Sequence, residues 1–272
     1  GSKNIHILVY IISKGQHEIL ESYFKKYAPK SKELYDSLYW NGHIVEALES
    51  ATSQNRDDLI KLILVNVPRY YRGAISYKCA LSLIEEDKID LFKMGVDTEW
   101  IDINTNWCGT IASQDGHFRL ISYVIFFQAV KILKYLLKRK DIIIDSCDNK
   151  INNIVLAAQS LNDEIKFLVF THPESDLEEA IEWVDANYNS ETNSEEKEEL
   201  LNTLDAYNER KQKFGRALLD GDCEEVQRGL SEGLSVNSRI SMGGQGYNCS
   251  AIDLARRVEY GWRNPEHIAK TS

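Results

Sequence analysis

The chain has 272 residues, 43% of them hydrophobic and 27% charged, with a formal net charge of −10. That length supports one large domain or two ordinary ones around a real core, and with only four Pro and fifteen Gly it is not a low-complexity chain. The longest apolar run, Ile5–Ile12, falls far short of the roughly 18–20 residues that cross a bilayer, so no membrane span is expected.

Gly1-Ser2 in place of Met reads as an expression scar, so a natural terminus and any targeting signal are expected to be missing. The first amphipathic segment is KGQHEILESYFKKY (Lys14–Tyr27), with a Gly, an acid and two apolar pairs at helical spacing. NRDDLIKLILVN (Asn55–Asn66) repeats the pattern without the Gly. DKIDLFKMGVD (Asp87–Asp97) is expected to keep the Gly after its helix, and Asp102-Ile103-Asn104 follows it. VKILKYLLKRKDIIID (Val130–Asp145) and AAQSLNDEIKFLVF (Ala157–Phe170) are the next copies.

Two acidic helices are then expected. Leu177, Ile181, Val184 and Tyr188 share one helical face, and Ser194–Leu219 reads as a second helix with Leu200, Leu201, Leu204 and Tyr207 on its face. Arg216–Arg239 is the clearest copy. Asp220-Gly221 makes a turn, and Asp222 with Glu225 forms a capping box. Val226 and Leu230 share a face, and Gly233 suits a left-handed helix end. Gly229 stands where the repeat expects Leu, which predicts a close approach by the inserted helix before it.

The second apolar pairs are separated by 40, 28, 45, 32 and 61 residues. A regular array would step by one constant interval. The long steps imply insertions at residues 95–118 and 173–208, and insertions in repeat arrays form loops, often on the binding face.

The matched residues Ala217, Gly221, Asp222, Glu225, Val226, Leu230, Gly233, Val236 and Asn237 resemble the ankyrin repeat. Ser250–Ala255 (SAIDLA) resembles the first-helix element of a following repeat, and Ala157, Ala158, Asn162, Glu164 and Ile165 form the next best copy. The resemblance implies an all-α, helical-hairpin solenoid of about six divergent repeats. Residues 1–172 would be degenerate repeats with an extended loop at 95–118. Residues 173–208 would be an acidic helical insertion, and residues 209–272 the final repeats and cap. It also implies a protein–protein interaction module with no catalytic activity of its own. Arrays this divergent are similar to host-directed effectors of intracellular bacteria, protists and large viruses, which would place the chain in a host cytosol. The alternative is that the array targets or regulates a larger enzyme.

Chemistry in the sequence is sparse. Glu174–Glu199 holds eleven acids and one Lys, so it carries the whole net charge while the rest of the chain balances. The expected ligand of that stretch is a protein with a basic patch. No basic stripe marks a nucleic-acid binder, since Lys134–Lys140 reads as the solvated end of a helix. Five dispersed Cys without CxxC spacing suit free thiols in a reducing, cytoplasmic compartment. The six His lack metal-ligand spacing, the Gly-rich Met242–Asn248 lacks a P-loop pattern, and the acidic stretch lacks an EF-hand loop. Neither a metal nor a cofactor is expected. Cys108, Asp115 and His117 share one segment, and a thiol–imidazole–carboxylate set is the grammar of cysteine hydrolases. Their crowding into 104–118 fits a repeat junction better than such a site. The partner-binding candidates are therefore loop residues of the types that anchor interfaces: Tyr70, Tyr71, Arg72, Trp100, Trp107, His117, Phe118 and Trp183.

Overall fold

One turn recurs along the chain and sets its architecture. At Gly15, Asn55, Asp87 and Gln128 the backbone φ is +63°, +55°, +48° and +57°. At each, the residue's own N–H donates three residues back, to Ile12, Thr52, Ile84 and Ile125 carbonyls. The next N–H donates five back, to Ile11, Ala51, Leu83 and Val124. This is the left-handed helix end that satisfies two orphan carbonyls and reverses the chain. Gly221, at φ +73°, has the same five-back bond from Asp222 to Ala217.

The structure is a computed structural model that describes residues 10–27, 38–66, 77–144, 152–188, 194–241, 248–250 and 252–253. It is mostly helical and falls into two compact units, Gly1–Ile142 and Ile143–Ser272. No described helix is long and apolar enough to cross a membrane.

In the first unit, residues 10–13 end one helix and α1 (His17–Tyr27) follows the turn. Then come α2 (Leu38–Ser53) with α3 (Asp57–Asn66), and α4 (Tyr77–Glu85) with α5 (Ile89–Asp97). The strands β1 (Asn106–Ile111) and β2 (Gln114–Arg119) precede α6 (Leu120–Phe126) and α7 (Val130–Leu136). The helices α2, α4 and α6 pack side by side, and α1, α3, α5 and α7 do the same beneath them. The core lies between these layers, where Leu48, Leu59, Ile63, Leu83, Phe92, Ile121 and Leu133 are at most 1% exposed. Polar bonds tie successive turns together. Arg56 reaches the carbonyl of Gly15 at 3.5 Å, and Lys88 donates to Asn55 and to Asp57, the latter at 2.8 Å. Both oxygens of Asp87 accept from the first turn of α7, at Lys131 and Ile132 N–H. The cap of α7 thus comes from the preceding hairpin, because Ala129 at its own start offers no side-chain acceptor.

In the second unit, α8 (Asn153–Ala158) and α9 (Asp163–Phe170) form a hairpin. The helices α10 (Leu177–Asn187) and α11 (Ser194–Asp220) pack on each other and on α8, and α11 also packs on α12 (Cys223–Ser231). Short strands β3 (Arg239–Ser241) and β4 (Asn248–Ser250) pair antiparallel. Asn152, Asn162, Asp176 and Asp222 each cap the following helix through a side-chain oxygen. The capping Asp and the acids behind it are why the expected start of α12 falls at Asp222.

The mostly helical content is compatible with the expected all-α class, and within the segment expected as an extended loop, 95–118, the chain forms a two-stranded antiparallel hairpin that runs over 106–119. Its first strand alternates exposed with less exposed side chains, a period of two rather than the helical 3.6. The second helix of the acidic insertion, expected over Ser194–Leu219, runs unbroken over Ser194–Asp220.

Candidate functional site

The hairpin is built around three aromatics. Trp107 and Phe118 face each other across the strands. Both rings meet Tyr123 of α6, at centroid distances of 5.9 and 6.1 Å, the second edge-to-face. Phe118 is 1% exposed and Trp107 half-buried. This packing pins the base of the hairpin to the first-helix layer. The turn at its tip uses Ala112 and Ser113, both at positive φ. A two-residue hairpin turn needs that geometry to match the strand twist.

The opposite face of the hairpin is polar. Cys108 stands directly across from His117, and Thr110 across from Asp115. Thr110 Oγ1 donates to Asp115 Oδ1. Cys108, Asp115 and His117 thus share one face, a juxtaposition hidden by their nine-residue spread. All three are exposed.

The other expected binding residues separate. Trp100, 4% exposed, belongs to the core, as does Phe118. His117 is exposed on the ribbon. Trp183 is half-buried on α10 and stacks edge-on to Tyr188 at 6.4 Å. Tyr70, Tyr71 and Arg72 lie outside the described residues.

The acidic helices have two faces. Leu177, Ala180 and Val184 of α10 are buried, as are Leu200 and Leu204 of α11. Lys211 is 3% exposed and donates to Ser175 O at 2.8 Å, while Ser175 Oγ donates to Val169 O. These bonds lock the loop before α10 onto α11. Glu195, Glu196, Glu198 and Glu199 face solvent, and Glu195, Glu198, Glu199, Asn202 and Thr203 line a trough of about 440 Å³. Lys197 pairs with Asp185 at 2.9 Å and so turns inward.

A larger groove, about 570 Å³, lies in the first-helix layer of the first unit. Glu46, Glu49, Ser50, Thr52 and Ser53 of α2 and Cys79 and Ser82 of α4 line it. Sequence reading missed it, although Glu46, Glu49, Ser50 and Ser53 form a polar stripe at helical spacing. The repeat signal sat in the second helices and drew attention from the first. Among the described residues, no group of three or more His, Cys, Asp or Glu could hold a metal ion. No family model and no curated protein matches the chain.

Proposed function

We propose that the chain is a protein-recognition module built as a divergent ankyrin-type stack. The observation that carries this reading is the recurring left-handed turn at Gly15, Asn55, Asp87 and Gln128, with hairpins packed in two layers. Such a stack buries its core only against neighbouring hairpins, so its first-helix face and projecting hairpin stay preformed and open. A preformed surface binds with little ordering cost. The solvent-facing glutamates of α11 steer a partner with a basic patch toward it. The free thiols Cys79, Cys108 and Cys223 suit a reducing compartment.

The test is affinity capture with the whole chain, repeated with the hairpin shortened between Thr105 and Leu120. Loss of the captured protein with unchanged helical content is expected if the hairpin belongs to the surface. Capture that survives shortening removes the hairpin from it. For the identified complex, replacing Glu195, Glu196, Glu198 and Glu199 by Gln should slow association at low salt and matter little at high salt. An unchanged low-salt rate would count against steering.

A further inference from the structure

The turn between α11 and α12 departs from the others in the chain. At Gly15, Asn55, Asp87, Glu99, Gln128 and Gly233, each at positive φ, the residue's own N–H donates three residues back. At Gly221 only the next N–H is engaged, from Asp222 to Ala217 O at 2.9 Å. The Gly221 N–H itself has no acceptor among the described residues. Gly221 is exposed, and a Cβ added there would meet nothing within 4 Å. A backbone nitrogen thus stands open to solvent with no side chain to shield it. The residue before it is Asp220, the last of α11 and also exposed. Its carboxylate makes no ion pair or hydrogen bond among the described residues.

The sequence joins Asn or Asp to Gly at two other places. Asn41-Gly42 lies inside α2. Asp115-Gly116 lies in β2, where Asp115 accepts from Thr110 Oγ1 and Gly116 is registered against Gly109. A helix interior or a strand pair fixes the backbone and holds the glycine nitrogen away from the preceding side-chain carbon. An exposed helix end frays, so the two atoms can meet there.

We propose that Asp220 is a site of spontaneous isomerisation to isoaspartate through a cyclic imide with Gly221. The Gly221 nitrogen attacks Cγ of the protonated Asp220 carboxyl. A C–N bond forms, and the nitrogen's proton leaves with the carboxyl hydroxyl as water. Water then opens the imide. Opening at Cγ restores Asp, whereas opening at the α-carbonyl carbon leaves the main chain running through Cβ and Cγ. No electrons are exchanged, and the net mass is unchanged. The product carries a free α-carboxylate as its side branch, the group that isoaspartyl methyltransferases esterify. The extra backbone carbon falls between α11 and α12. It displaces the Asp222 N–H from Ala217 O and shifts the Asp222 cap of α12. It also loosens the seat of α12 where Gly229 lies against Phe214.

The test holds the full chain at neutral pH and body temperature for weeks and then digests it with trypsin. Fragments 217–228 and 94–119 carry the two Asp-Gly pairs. Isoaspartate is read as a shifted elution at unchanged mass and as labelled methyl accepted from S-adenosylmethionine through an isoaspartyl methyltransferase. In the folded chain it should accumulate several-fold faster in 217–228 than in 94–119, and the two rates should converge in urea. Asp220→Glu keeps the charge but lengthens the side chain beyond easy ring closure, so it should abolish the label in 217–228. Asp220→Asn should speed the reaction, with ammonia leaving in place of water. The melting temperature of the aged chain should fall, while that of Asp220→Glu holds. Equal or faster isomerisation in folded 94–119 would overturn the proposal. So would label in 217–228 that survives Asp220→Glu, since it would then belong to Asp222. A ratio of the two rates that is the same in urea as in buffer would show that the turn contributes nothing, and would overturn it without any variant.

Discussion

At Gly229 an added Cβ would lie 2.3 Å from Cδ2 of Phe214, a buried ring on α11. The close approach expected from the missing Leu is there, and the helix that makes it is the one running out of the acidic insertion. In an exposed helix, Ala would gain about 1 kcal/mol over Gly. Here the ring cannot yield, since Phe214 packs with Leu234, Leu218, Leu219, Val226 and Val236. Gly229→Ala should therefore lose about 1–3 kcal/mol by urea unfolding, the usual cost of overpacking. A gain in stability would show that Phe214 is free to move. The three described free thiols should also sort by environment. Cys79 is 1% exposed with its thiol pushed up by burial, whereas Cys108 and Cys223 are exposed. Iodoacetamide followed by peptide mapping should label Cys108 and Cys223 well before Cys79 in the folded protein. Equal labelling would mean that α4 opens readily.

Elements were legible where one local rule sufficed. Asp222 and Gly221 announced α12 because a cap and a turn act within four residues. The repeat was harder to see because its left-handed residue changes identity, from Gly15 to Asn55, Asp87 and Gln128. A search keyed to Gly finds the first and passes over the rest. What the copies share is backbone geometry, which Asn and Asp enter at modest cost and Gln at a higher one. The β-hairpin was masked differently. Its turn carries Ala112-Ser113 rather than Asn-Gly, the pair that signals a hairpin. Two non-Gly residues at positive φ should cost about 1–2 kcal/mol each. Ala112→Asn with Ser113→Gly should raise the melting temperature and stiffen the ribbon, seen as slower amide exchange at Cys108 and His117. No change in exchange would mean the tip already relaxes by other means.

At the scale of the whole molecule, charge is the visible lever. Arg56 holds the Asp58 carboxyl below the ordinary range, Arg139 does so for Asp141, and Arg228 with Lys213 does so for Glu225. A carboxylate depressed in the folded state binds fewer protons there than in the unfolded chain. Stability then rises with pH through that window, is fully present above the ordinary carboxylate values, and is lost as pH falls through the depressed ones. The melting temperature should hold from neutral pH to about 5 and fall below about 4. Arg56→Gln with Arg139→Gln should flatten that acid slope. A melting temperature that climbs steadily on acidification would show that relief of repulsion in the acidic stretch outweighs these pairs.

By itself, the sequence determined that the chain is built of helical hairpins, where the strongest helices start, and that one acidic stretch carries the net charge. Those features follow from periodicity, caps and composition, which act over a few residues. Only the tertiary structure decided that Trp100 and Phe118 are buried, that Cys108 stands across from His117, and that Glu46 and Glu49 share a groove with Ser82. The reason is physical. Burial, cross-strand register and a groove between two helices are set by which elements meet, and residues far apart in the chain decide that together.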